Sequence, residues 1–220
     1  MNWQNHHVLA AALRDQGLAD VLAGKFCLRG DEFSISGVTT TLGHVAVGKC
    51  QQGVEKVTKG YLLRLSGAYD PAKGHKPFTT ALEQYEDLKK PMKRLLQSLN
   101  RANSRLVAEL KWLESLAPAR PKPPDPPAGV PVAAGPQPLH IIPMNSEYPF
   151  WTGGPVDGSL SYPAAVFVPR NFPVRAFKTA RTYIEILAGS EPDDFCQPLR
   201  NFLNHYPFST ELGDWPKKSD

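Results

Sequence analysis

Residues Ala117 to Pro138 read APARPKPPDPPAGVPVAAGPQP, a stretch that holds 9 of the chain's 22 prolines. Proline fixes φ and has no backbone N–H, so this run can continue neither a helix nor a central strand. It reads as polyproline II, a semi-rigid spacer with a reach of up to about 70 Å at roughly 3.1 Å per residue. Its position divides the sequence into a mainly helical domain at residues 1–116, a linker at residues 117–138, and a small α+β domain at residues 139–220. Two Pro-x-x-Pro matches inside it, Pro118–Pro121 and Pro123–Pro126, also fit the ligands of aromatic-lined grooves, although a tether is the simpler reading.

Immediately upstream lies the clearest periodic pattern in the chain. Thr80-Ala81-Leu82-Glu83 has the form of a capping box, and Glu83, Glu86 and Asp87 place negative charge where a helix dipole favours it. Leu82, Tyr85, Leu88, Met92, Leu95, Leu99, Leu106, Leu110 and Leu113 then share one helical face, with a kink or break expected at Pro91. Residues 38–66 are ambiguous: Val47, Cys50, Val54, Val57 and Tyr61 recur at steps of 3 and 4 and favour a helix from about residue 40, whereas the β-branched run Val38–Thr41 could equally begin a strand. Gly43, Gly48, Gly53 and Gly60 each weaken such a helix by roughly 1 kcal/mol relative to alanine, but permit close approach of a neighbour. The natural partner is the helix that follows, giving an antiparallel helical hairpin around a loop at residues 67–79. Nearer the N-terminus, residues 4–23 suit a helix ended by Gly24, followed by a β-hairpin pairing Phe26–Leu28 with Phe33–Ile35.

Downstream of the spacer, Leu139–Ile142 and Ala164–Val168 read as strands. Val174, Phe177, Ala180, Ile184 and Leu187 predict a helix closed by Gly189, and Ser190–Asp193 the start of another. The expected fold class is therefore α+β: an N-terminal helical hairpin with a small β-hairpin, a proline-rich spacer and a small α+β C-terminal piece.

A hydrophobic content of 41% with 21% charged residues is too apolar for a disordered chain, and the net charge of +4 is compatible with a polyanionic partner. Cys27, Cys50 and Cys196 are odd in number and widely spaced, which argues against a disulfide framework and a thiolate zinc site. None of His6, His7, His44, His75, His140 and His205 has a partner at metal-ligand helical spacing, so no metal and no cofactor is expected. The N-terminus lacks a secretory pattern and no apolar run reaches the roughly 18 residues of a membrane span, so the expected location is cytoplasmic.

No motif fixes a reaction. Gly43 to Cys50 has the Gly-x-x-x-x-Gly-Lys spacing of a phosphate loop, but Cys50 stands where the magnesium-binding Ser or Thr is required. Arg29-Gly30-Asp31 is better explained as a hairpin turn than as a recognition tripeptide. An enzyme using Cys50 or a histidine ranks last, and no catalytic residue is assigned.

What stands out is charge. Lys90, Arg94, Arg101 and Arg105 project within about 60° of one another on a regular helix, with Lys93 and Lys111 to one side and Trp112 on the same stripe. Guanidinium groups so spaced can pair with successive phosphates, and an exposed indole can stack on an unpaired base. The bland alternative is a solvated helix face with Trp112 covered by the C-terminal piece. A second basic row, Arg175, Lys178 and Arg181, lies beyond the spacer. Tyr148, Phe150 and Trp151 sit in a glycine-bearing loop that is either a partner-binding surface or a plug fastening the two pieces. The expectation is a non-enzymatic accessory protein that binds a nucleic-acid backbone or nucleoprotein through a basic helix face; the alternative is a protein–protein adaptor or structural subunit of a larger assembly. DNA or RNA is the expected partner, with protein partners as the alternative and no membrane.

Overall fold

The computed structural model describes residues 3–28, 33–35, 38–40, 42–72, 74–102, 104–117, 150–152, 159–161 and 171–206. The expected strands at 139–142 and 164–168, and the spacer beyond Ala117, lie outside them. The described elements are α1 (Trp3–Cys27), β1 (Phe33–Ile35), β2 (Val38–Thr40), α2 (Gly43–Leu65), α3 (Pro77–Gln84), α4 (Glu86–Ala102), α5 (Leu106–Ser115), β3 (Phe150–Thr152), β4 (Ser159–Ser161), α6 (Phe172–Ala188) and α7 (Asp193–His205).

The α+β expectation is overturned, because the fold is helical and one helix-built core runs through α1, α2, α3, α4, α5, α6 and α7. Extended pairing among the described residues amounts to two antiparallel ladders, β1 with β2 and β3 with β4, each three residues long. Pairs that short cannot make a layer for helices to pack on. The predicted strand Phe26–Leu28 is instead the last turn of α1 and the residue after it, and Phe33–Ile35 pairs with Val38–Thr40.

Helix α1 passes through Gly24 because the glycine serves interhelical packing. A Cβ there would lie 2.9 Å from Cys50 Sγ and 3.3 Å from the Ala46 carbonyl oxygen. The same holds at Gly17, where a Cβ would come within 2.7 Å of the Gly53 carbonyl, and at Gly60, where it would come within 2.6 Å of the Ala10 carbonyl. Ala10, Gly17 and Gly24 thus meet Gly60, Gly53 and Ala46, an antiparallel seam of small residues at every seventh position. A seven-residue period keeps such a seam facing its partner along both helices. The glycines of α2 therefore receive the preceding helix, α1, rather than the following one. Beside the seam, buried Asp20 of α1 is held by Lys49 at 3.1 Å and by Lys56, two lysines of α2 that are also seven residues apart.

The predicted long helix is three helices. Tyr85 takes an extended conformation (φ −121, ψ 105) between α3 and α4, and a turn at Ser104–Arg105 separates α4 from α5. Helix α4 continues through Pro91 and buries Leu88, Met92, Leu95 and Leu99. The capping box at Thr80 is not used, since α3 begins three residues earlier at Pro77. Its cap arrives from elsewhere: the Glu114 carboxylate of α5 accepts from the Phe78 amide at 2.7 Å and the Thr79 hydroxyl at 3.1 Å. The Phe78 amide is an orphan donor of the first helical turn, and a carboxylate is favoured there by the helix dipole.

Helices α6 and α7, from beyond the spacer, share the core with the N-terminal helices. The Thr58 hydroxyl donates to the Val54 carbonyl at 2.7 Å, which leaves its oxygen to accept from the Tyr183 hydroxyl at 2.9 Å. Phe78 meets the Tyr183 ring edge-on at 5.3 Å. Arg14 reaches from α1 to α7, donating to the Phe195 carbonyl at 3.3 Å with its guanidinium 5.4 Å from that ring's centre. Among the described residues no helix is long and apolar enough to cross a membrane.

Candidate nucleic-acid interface

Helix α5 crosses α6 so that two short side-chain series face each other. Arg105, at the N-cap of α5, and Glu109 and Trp112 on it recur at steps of 4 and 3, and on α6 Phe172, Arg175, Lys178 and Thr182 recur at steps of 3, 3 and 4. Leu106 and Val174 are buried at the base of the contact, while Arg105, Arg175 and Lys178 are exposed at its rim. Between the helices lies an open groove of about 370 Å³, with Glu109, Thr179 and Thr182 also in its lining. Asn171 enters it from the N-terminal end of α6, in the left-handed conformation (φ 57) that asparagine tolerates better than most residues.

The centre of this arrangement is Arg175. Its Nε and Nη2 donate to the two oxygens of Glu109 at 2.6 and 3.1 Å, a bidentate pair. Its Cζ lies 3.9 Å from the centre of the Trp112 ring, within cation–π range. The indole is braced edge-on by Phe172 at 5.2 Å and 78°. Trp112 is half-buried and does not line the groove; Arg175 does.

The residues singled out from sequence are thus divided. Lys90, Arg94 and Arg101 are exposed on α4, and Lys111 on α5, but none of the four lines the groove. The regular helix that would have aligned them with Arg105 and Trp112 is interrupted at Ser104–Arg105. Arg105 alone of that set reaches the groove, where it meets Arg175 and Lys178 of the second basic row; Arg181 turns to Glu185 at 2.7 Å. Phe150 and Trp151 fall in β3, and Tyr148 lies outside the described residues. Sequence reasoning missed Glu109, Asn171, Thr179 and Thr182. The signal for Glu109 was the pair of i, i+3 couples, Glu109 with Trp112 and Phe172 with Arg175, which has meaning only once α5 is known to face α6; Asn171, Thr179 and Thr182 carried none.

The phosphate-loop pattern at Gly43–Cys50 is the first two turns of α2 and forms no loop. Cys50 is wholly buried, and burial pushes its thiol far above the ordinary range, so it offers no thiolate at neutral pH. Burial likewise pushes the Cys196 thiol up to about 11. Among the described residues no group of three His, Cys, Asp or Glu is placed to hold a metal ion. Comparison with protein-family models, curated proteins and solved structures finds no match to this chain.

Proposed function

We propose that the protein binds the phosphate backbone of a nucleic acid along the α5–α6 groove, without catalysis. The observation that carries this reading is the convergence of Arg105 with Arg175 and Lys178, cations about 70 residues apart in sequence, on one groove. A concave surface edged by cations raises the local concentration of a polyanion, which isolated surface lysines do not. The exposed Lys90, Arg94 and Arg101 of α4 add positive charge to the surface outside the groove. Threonine hydroxyls and an asparagine amide add neutral donors of the kind that position phosphates and sugars.

Fluorescence anisotropy with labelled single- and double-stranded oligonucleotides tests the reading. Binding is expected to weaken linearly on a log–log scale as salt rises. Arg105→Ala with Lys178→Ala is expected to flatten that slope by about 1.4 for a single strand, roughly 0.7 per phosphate contact removed. An unchanged slope would remove the groove from the binding surface.

A further inference from the structure

We infer that the groove takes single-stranded nucleic acid, with an unpaired base laid on the guanidinium plane of Arg175. This rests on the nucleic-acid reading above and assigns the class of ligand that the groove accepts. Arg175 is held more tightly than a simple phosphate clamp. Its Nε–Nη2 edge is occupied by Glu109 at 2.6 and 3.1 Å, which leaves the Nη1–Nη2 end of its five-donor fork for a phosphate. One face of the guanidinium is on Trp112, 3.9 Å from the ring centre. With one edge and one face taken, Arg175 keeps its Nη end and its opposite face for a ligand, and its side chain is 42% exposed.

That face is a flat cation fixed in orientation: the ion pair holds it at the edge, and behind it stands an indole that Phe172 braces. Unpaired bases stack on aromatic rings and on guanidinium planes, and every base has a face to offer. The resulting order is base, guanidinium, indole, so the stacking plate is the arginine and the tryptophan is its backing. A base paired within a duplex has both faces covered by its neighbours and can reach this plane only by leaving the stack. Lys178, one helical turn along α6, and Arg105 on the opposite rim supply charge for the flanking phosphates, and a groove of about 370 Å³ is of the size that holds one small-molecule-sized group.

The experiment uses the full chain and three labelled probes of about 12 nucleotides, within the range of known single-strand site sizes. They are oligothymidylate, the same backbone with every base removed, and a duplex of equal length. The base-bearing strand is expected to bind about tenfold more tightly than the abasic strand, and more tightly than the duplex, from stacking of one base. Arg175→Lys keeps the charge but not the plane, and is expected to weaken the base-bearing strand about tenfold more than the abasic one. The wild-type comparison needs no variant, so it stands even if Arg175→Lys disturbs folding. Equal affinity for base-bearing and abasic strands, or tighter binding of the duplex, would overturn the stacking inference and leave the phosphate reading in place. Failure of all three probes to bind at low salt would overturn the nucleic-acid reading itself.

Discussion

A single carboxylate shows how a residue can serve an element to which it does not belong. Glu114 sits on α5 but caps α3, and burial raises its carboxyl to about 7, against the lowering by the Phe78 amide, the Thr79 hydroxyl and the charge of Lys76. Since the folded value lies above the ordinary 4.5, the folded state binds the proton more tightly than the unfolded chain does. The contribution to stability is therefore complete below about pH 4.5 and is lost as pH rises through about 7. Thermal melts of wild type and Glu114→Gln across this range are expected to show the wild type losing ground steadily relative to the variant. Parallel curves would mean that the carboxyl titrates alike in both states. Nothing local announces this role, because Thr80-Ala81-Leu82-Glu83 is a complete capping box by spacing. It is overridden because Pro77 supplies a first-turn φ three residues earlier and Glu114 arrives through tertiary structure. Trp112 shows where the limit falls: the alternative reading of the sequence, that the C-terminal piece covers it, is what Arg175 and Phe172 do, but which side chains provide the cover was not legible.

At the level of elements, the apolar periodicity of α2, α4, α5 and α6 was legible because each buries one stripe at helical spacing. What could not be read was which stripe meets which. The glycines of α2 carry both a propensity cost and a contact. In an exposed helix, Gly→Ala would be stabilising by about 1 kcal/mol. At position 53 the added methyl would meet Val21 and the Gly17 carbonyl, the latter at 2.7 Å, and a carbonyl cannot swing aside as a side-chain end can. Gly53→Ala is therefore expected to destabilise by about 2 kcal/mol, read from denaturant midpoints at constant slope. A stabilised variant would show that α1 and α2 can part without loss. The key lay in the matching interval of the two helices, Ala10-Gly17-Gly24 against Ala46-Gly53-Gly60, which becomes informative only when both are compared. The breaks at Tyr85 and Ser104–Arg105 had no such signal; Pro91 was the visible breaker, yet α4 runs through it.

On the scale of the whole molecule, the composition shift at Ala117 marks a change in chain character while the helices on either side of it share one core. Tyr183, Phe177 and Ile184 of α6 are fully buried in the cluster that also holds Val54, Val57, Leu88 and Leu110. A fragment ending at Ala117 would leave that surface open and Thr58 without its tyrosine. Such a fragment is expected to lack the cooperative melt of the full chain by circular dichroism and to bind a hydrophobic dye. A sharp transition with no dye binding would make residues 1–117 an independent domain. The groove has the same origin, since its α5 and α6 walls come from opposite sides of the spacer. Neither α5 nor α6 forms this groove alone, which is why the basic residues could be enumerated but not assembled.

The evenness of the α1–α2 seam leaves an ambiguity that size alone cannot resolve. Sliding one helix by seven residues would still place small residue on small residue, Ala10 on Gly53 and Gly17 on Ala46, or Gly17 on Gly60 and Gly24 on Gly53. The slid alignments differ from the native one at Asp20, whose neighbours would become Leu42 and Lys49, or Lys56 and Leu63. Either shift replaces one lysine partner of a buried carboxylate with leucine, and an underpaired buried charge is among the costliest features a fold can carry. Asp20 therefore acts as an indexing pin: the small residues determine how closely the helices approach, and one carboxylate determines at which notch they stop.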